Sequence, residues 1–579
     1  MEGRGAESCR EHVSSSSVSG ENMKRVRKKI LGARVLFGAA GLLAIVTVIG
    51  FAPSQDGDYF FKINKSIDVF GRVYKEITAN YVDEVDPERF MHSGIEGMLE
   101  ALDPYTVFIN KEEGDEVDLL TSGKYGGIGV TIGQRDGTIQ VISVMDGYSA
   151  QRQGIVPGDK IISVDGVTVG MKKPDAVRNL TRGEPGTEVR VVIDREGEHA
   201  PLQFVLIREE IQVKNVTYAD FLDDGVAYIR LERFSRKAGD EVRQAIKELK
   251  LRGEVKGLVL DLRGNPGGLL DAAVEVVSKF VARGSLVVST KGRRTEADKQ
   301  YISTEEPLLP TTPLIVLTDR SSASASEIVA GALQDLDRAV VVGTRTFGKG
   351  LVQTILPLNY GAQLKVTTAR YYTPSGRSIQ EIDYRRRDQS GVVVVTTSDS
   401  LKKRFETVHG RPVYEHGGIV PDSTVNEDDV GPMVKELFRK SLFFRFATTY
   451  VAERKGASSI PITDQVLDEF KKFLAERKFD YQEESQGKIK ELKQVAERSH
   501  FGLEVVEDLD RLAVALEKEK ARGFDRYKDH IEREVDIEIM ARLKGEHGRI
   551  GASLKGDRQL GTAVGILKDA KLYTRMTGA

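Results

Sequence analysis

The sequence predicts an α/β multidomain chain: a helical N-terminal region, a β-rich module, a layered α/β core and a helical C-terminal extension. Three observations carry this. Between 123 and 210, short apolar runs such as Gly129-Val130-Thr131-Ile132, Ile139-Gln140-Val141-Ile142 and Ile161-Ile162-Ser163-Val164 are separated by glycine turns, the pattern of a small β unit. From 211 to 425, strand-length apolar runs alternate with helix-periodic segments, as layered α/β folds require. After 430 the chain turns rich in Lys, Glu, Leu and Ala, with helical periodicity at 466–475, 489–497 and 505–520.

The length of 579 residues suits roughly three or four domains. Lys+Arg number 85 against 87 Asp+Glu, for a net charge of −2, so nothing points to nucleic acid as a partner. Residues 1–34 read as a cytoplasmic N-terminal segment ending in a basic cluster, Lys24, Arg25, Arg27, Lys28 and Lys29. An almost uncharged run follows at 35–53, about 19 residues, close to the roughly 20 that span a bilayer. A cleaved signal peptide is the rival reading, but its apolar region is usually about 7–15 residues, and Phe51-Ala52-Pro53-Ser54 makes a poor cleavage site. The expectation is therefore a signal anchor in the lipid bilayer, basic side in the cytoplasm and the remainder outside. Cys9 is the single cysteine and falls on the cytoplasmic side, so the exported part has no disulfide.

Residues 58–122 read as helical, with Ile67, Phe70, Val73, Ile77 and Tyr81 at three-to-four spacing. Such helices pack or mediate a homo-oligomer. The module at 123–210 opens on Tyr125-Gly126-Gly127-Ile128-Gly129 and continues through Gly154-Ile155-Val156-Pro157-Gly158-Asp159 and Asp165-Gly166. These turns resemble those of a PDZ domain. A glycine-rich loop offers backbone N–H groups to a terminal carboxylate, and the neighbouring strand edge takes the peptide as an added strand. The plainer reading is that the glycines make hairpin turns.

The core begins near 211. A strand at 226–231 and a helix at 238–251 precede the buried run Gly257-Leu258-Val259-Leu260-Asp261-Leu262, which enters Arg263-Gly264-Asn265-Pro266-Gly267-Gly268 and a helix at 269–281. Further on, Leu314-Ile315-Val316-Leu317 leads through Ser321 to Ser326 into the apolar-periodic 327–336. Strand, tight turn and helix lift a nucleophile out of the backbone and set the first helical N–H groups beside it. Serines are also ordinary helix caps. The second half of the stretch, Phe347-Gly348-Lys349-Gly350 after the apolar 339–342, holds a lone Lys between glycines, as suits a lysine desolvated beside another backbone.

Together, SASASE, FGKG and Gln353 four residues beyond Lys349 resemble the signature of the carboxyl-terminal processing (tail-specific) serine peptidases. The resemblance implies Ser324 as nucleophile, Lys349 as general base and Gln353 orienting the lysine. Arg263 to Gly268 is similar to the family's DLRNNPGG motif, with Gly264 in place of the first Asn; this implies an oxyanion hole from Gly267 or Gly268 with Ala325. Tyr371-Tyr372-Thr373-Pro374-Ser375-Gly376-Arg377-Ser378-Ile379 and Gly417-Gly418-Ile419-Val420-Pro421-Asp422 resemble two further family segments. The implied fold is a PDZ domain at 123–210, a protease core of the ClpP/crotonase type at 211–425 and a helical extension at 430–579. The chemistry is self-consistent, because a serine hydroxyl needs an adjacent base and burial lowers a lysine pKa by up to roughly 3–5 units.

The function expected is a serine endopeptidase of a bacterial inner membrane, single pass, its catalytic part in the periplasm, capturing exposed C-termini of protein substrates. No metal or other cofactor is implied: there is no P-loop, HExxH or Cys cluster, and His409 and His416 read as structural or solvated. Two other readings stay open, a catalytically silent PDZ scaffold and a protease inactive until an adaptor protein binds, with 430–579 as a packing bundle or the docking module.

Overall fold

The computed structural model describes residues 55–578 apart from 112–118, 120, 136, 171, 385–402, 416, 428 and 455. The chain divides into two compact units, Met1–Gly97 and Met98–Ala579. In the first, the helix Gln55–Asn80 is joined through a short turn to Pro87–Leu99. The Tyr74 and Phe90 rings stack at 5.6 Å, and the Tyr74 hydroxyl donates to the Pro87 carbonyl.

The expected single-pass location in a bacterial inner membrane is corrected here. No helix among the described residues is long and apolar enough to cross a membrane. Gln55–Asn80 has the length at 26 residues, but it carries Asp58, Lys62, Lys65, Asp68, Arg72, Lys75 and Glu76, which hydrocarbon would desolvate at high cost. The run 35–53, the cytoplasmic segment 1–34 and Cys9 lie outside the described residues, as does His416.

A second correction concerns 58–122. Helix gives way after Leu99 to the strand Val107–Ile109, which pairs antiparallel with Gln363–Tyr372. Pro104 and the β-favouring Val107-Phe108-Ile109 account for the change.

In the larger unit, the strands Val130–Arg135, Thr138–Val144, Lys160–Val164, Glu188–Asp194 and Leu202–Ile207 form one sheet in that order, with the helix Pro174–Thr181 beside it. Ile139, Val141, Val164, Val189, Val191 and Ile193 fill its core. Val130–Arg135 is one edge strand and Leu202–Ile207 the other.

The central sheet runs Val216–Phe221, Val226–Leu231, Gly257–Asp261, Leu314–Thr318, Val340–Gly343 and Ser423–Thr424 in spatial order, parallel from the second strand onward. Its middle strands are buried along their whole length, as two-sided covering of a parallel sheet demands. Alternate residues split between two cores. Ile229, Leu260, Val316 and Val341 meet the helices Ala238–Arg252, Leu270–Ser278 and Ala325–Asp335. Tyr228, Val259, Ile315 and Val342 meet Leu560, Ala563 and Ile566 of the helix Arg558–Lys568. The end of the C-terminal extension is thus the second covering layer of the core. Its earlier helices build a separate aromatic core from Phe443, Phe446, Phe470 and Phe473.

Candidate active site

Three neighbouring parallel strands, Gly257–Asp261, Leu314–Thr318 and Val340–Gly343, release their following segments at the same edge of the sheet. Open α/β sheets build sites outside the carboxyl ends of their strands. The segments meeting here carry the 263–268 loop, Ser324 and Lys349.

Ser324 immediately precedes the helix Ala325–Asp335 and holds φ 55°, ψ −112°. A side-chain-bearing residue pays about 1–3 kcal/mol for such a backbone, which persists only where surroundings over-determine it. Those surroundings centre on Glu327, which is fully buried. One oxygen of its carboxyl accepts the Ser324 N–H at 2.8 Å and the Lys349 N–H at 2.9 Å. The other accepts the Gly348 N–H at 2.7 Å and the Thr346 hydroxyl at 2.6 Å. Burial pushes the Glu327 pKa up to about 7, against the pull of those donors. From the opposite side, the buried Tyr371 hydroxyl lies against the carbonyls of both Ser324 and Lys349. A carboxyl and a phenol therefore tie the two backbones together.

The Lys349 ammonium sits 4.1 Å over the Tyr105 ring. Burial lowers its pKa to about 8, helped by the charge of Lys365 and opposed by Asp103 and Glu327. Among the described residues it makes no hydrogen bond to Ser324 or Gln353. The Gln353 side chain donates instead to the Thr367 hydroxyl at 3.3 Å, across the strand pair Leu351–Pro357 and Gln363–Tyr372. Ser324 and Lys349 are brought together through their backbones, and Gln353 stands in the strand that follows, opposite Thr367.

In the loop after Asp261, the Gly267 N–H donates to Asn265 Oδ1 at 2.9 Å, so it is turned into the loop. The neighbouring ladder uses the Gly267 carbonyl and the Leu269 N–H against Phe234 and leaves the Gly268 N–H outside it. A Cβ at Gly268 would meet the Phe234 carbonyl oxygen at 2.3 Å. The Ala325 N–H, first in its helix, has no intrahelical acceptor. Gly264 donates its N–H to the Asp319 carboxylate at 3.0 Å, and Asp319 also accepts the N–H of Ser321 and Ser322. The Asn265 carbonyl accepts the Ala323 N–H and the Ser326 hydroxyl. The two loops are stitched to each other. A cavity of about 370 Å³ beside them is lined by Arg230, Glu232, Arg233, Pro266, Gly267 and Gly268.

Tyr125, Gly126 and Gly127 stand in a short strand, Lys124–Gly127, paired with Glu209–Gln212; the turn proper is Ile128-Gly129. A Cβ at Gly126 would meet the Gly183 carbonyl oxygen at 1.9 Å, which accounts for that glycine. Gly127, Ile128 and Gly129 line a cavity of about 250 Å³ together with Val130, Arg178 and Arg182. This groove lies between the edge strand Val130–Arg135 and the helix Pro174–Thr181, with the Arg182 guanidinium 4.8 Å over the Tyr125 ring.

Glu327, Tyr371 and Tyr105 were not singled out by sequence reasoning. For Glu327 a signal existed: Glu three residues after Ser at a helix start, followed by apolar residues, is a capping pattern. Among the described residues no cluster of His, Cys, Asp and Glu is arranged to hold a metal.

Residues 225–385 match peptidase family S41, 140–195 a PDZ domain, 433–567 the probable PDZ-protease C-terminal helical domain and 53–113 the activating protease CtpB N-terminal domain. A carboxy-terminal-processing protease of Bartonella bacilliformis is 37% identical over 352 residues, 60% of this chain and 80% of the relative. The carboxy-terminal processing protease CtpB of Bacillus subtilis is 32% identical over 367 residues, 62% of this chain and 76% of the relative. Among solved structures, the photosystem II D1 C-terminal processing protease is 27% identical, covering 62% of this chain and 92% of that one, at a TM-score of 0.34. The chain belongs to peptidase family S41, the carboxy-terminal processing serine proteases, and carries a PDZ domain and a C-terminal helical domain.

Proposed function

We propose that this serine protease cleaves peptide bonds in proteins through a Ser324–Lys349 dyad, on substrates held by their C-terminal tails in the groove at 127–130. The observation that carries it is the single carboxyl of Glu327 holding the N–H groups of Ser324 and Lys349 at once. A neutral Lys349 amine takes the Ser324 hydroxyl proton while the serine oxygen bonds to the scissile carbonyl carbon. The negative charge moves to the carbonyl oxygen, where the Gly268 and Ala325 N–H groups receive it. Collapse breaks the C–N bond, and the Lys349 ammonium returns its proton to the leaving amine. Water then cleaves the acyl ester by the same route. Gln353 orients the lysine in this reading.

The seat of Lys349 over Tyr105 favours a resting state in which the dyad is not yet closed. The side chain swings from the ring to Ser324 when substrate or a partner shifts the equilibrium. The domain division at about 123, 211 and 430 follows the same assignment.

The test is cleavage of denatured casein by the full chain, by Ser324→Ala and by Lys349→Ala. Activity in the parent and silence in both variants is expected. Equal cleavage by all three would place the activity elsewhere.

A further inference from the structure

The loop that carries Gly268 is rooted at Arg263, and the C-terminal helical domain reaches that root. One edge of the Arg263 guanidinium is taken by Asp261, with Nε to Oδ1 at 3.0 Å and Nη2 to Oδ2 at 2.6 Å. Asp261 is fully buried and also accepts the Tyr228 hydroxyl at 2.6 Å. The other end, Nη1, meets Asp557 Oδ2 at 2.7 Å and Gln559 Oε1 at 3.0 Å. Both partners stand at the start of the helix Arg558–Lys568, whose apolar face covers the sheet beneath the loop. Arg263 is 15% exposed and Asp557 11%, so water screens the pair weakly. One residue beyond Arg263, the loop is bound to the nucleophile turn through Asp319. The start of the segment 263–268 is thus held from two sides, by the C-terminal domain at Arg263 and by the turn bearing Ser324 at Gly264 and Asn265.

We propose that Asp557 is a positioning residue for the oxyanion loop, and that the C-terminal helical domain completes the catalytic site by clamping Arg263. The inference rests on the oxyanion role proposed above for Gly268. Asp261 takes the Nε and Nη2 edge of the planar guanidinium and makes no hydrogen bond to Nη1. The second carboxylate, through Oδ2 alone and beside the Gln559 amide oxygen, anchors the Nη1 end, so that the rigid plane is held from two sides.

Asp557 offers a clean perturbation because its two oxygens do different work. Oδ1 caps the helix by accepting the Leu560 N–H at 3.0 Å, a task Asn performs as well as Asp. Oδ2 alone faces Arg263. In Asp557→Asn, the amide keeps the cap with its oxygen and presents an NH₂ to Nη1, donor against donor.

The experiment uses the full chain and three readouts. The first is kcat and KM on a quenched fluorogenic peptide with an apolar C-terminus. The second is affinity for a peptide aldehyde, whose tetrahedral adduct places an oxyanion in the hole. The third is binding of the unmodified peptide in a Ser324→Ala background. Asp557→Asn is expected to lower kcat and aldehyde affinity together by about 10- to 100-fold, the scale of a displacement of about 1 Å at a reacting centre. KM and ground-state binding should stay within about twofold, as for an interaction made only in the transition state. A general loss of packing would not move the first pair while sparing the second. Should Asp557→Asn fail to fold, Asp557→Glu, which keeps the charge but lengthens the arm, is read in the same way with a smaller loss. Wild-type kcat in the variant, with Ser324→Ala silent, would overturn the positioning role alone. Activity surviving in Ser324→Ala would instead overturn the dyad beneath it.

Discussion

Replacing Glu327 by Gln changes one atom at the centre of the site and leaves its volume almost unaltered. The carboxyl accepts four donors, two on each oxygen. Gln supplies only one oxygen. The least costly orientation keeps that oxygen on the Ser324 and Lys349 N–H groups and turns the amide NH₂ toward Thr346 and Gly348. The Thr346 hydroxyl can rotate to accept, but the Gly348 N–H is left buried against another donor. An orphaned buried N–H costs about 1–3 kcal/mol, and relief comes by moving the segment 346–350 that carries Lys349. A shift of about 1 Å there lowers kcat by about 100-fold, while KM changes little because Glu327, fully buried, lies beyond the reach of substrate. The assays are steady-state kinetics and thermal unfolding of the full chain across pH. The carboxyl pKa is raised from 4.5 to about 7, so its contribution to folding is fully present below about 4.5 and lost as pH rises through about 7. That slope should be missing in the variant. Unchanged kcat together with an unchanged unfolding temperature would refute the clamp.

Two further outcomes follow from the same geometry. Lys349 must be neutral to accept a proton and its pKa is lowered to about 8, so kcat/KM should rise about tenfold per pH unit below that value and level off above it. A profile flat from pH 6 to 9 would contradict the base assignment. In Gly268→Ala the new Cβ meets the Phe234 carbonyl oxygen at 2.3 Å, the N–H is displaced, and kcat should fall by about 100- to 1,000-fold as for loss of one oxyanion donor; kinetics within a few-fold of the parent would remove Gly268 from the hole.

Much of this protein is written in local sequence, because each clue rests on neighbours along the chain. Strand runs such as Leu314-Ile315-Val316-Leu317 declare themselves by unbroken apolarity. Ser324 and Lys349 are candidates through motifs of small residues and glycines that resemble a family signature, and the PDZ turns stand out by glycine placement. The strand Val107–Ile109 escaped, since three residues pair only because Gln363–Tyr372 lies alongside. The Gly267 N–H was an equal candidate with Gly268 until the Asn265 side chain was seen to occupy it. Glu327 reads in sequence as the start of an amphipathic helix; only folding brings Thr346 and Gly348 to it across roughly twenty residues. Arg263 and Asp557 lie nearly three hundred positions apart, and no spacing rule joins them. By itself, the sequence determined most element types and their order, since backbone preference and hydrophobic period act over a few residues, and its motifs implied Ser324 and Lys349 as nucleophile and base through a family resemblance. The tertiary structure alone decided which carboxyl and phenol tie the Ser324 and Lys349 backbones together and that the C-terminal helices cover the core sheet, since those follow from contacts between distant segments.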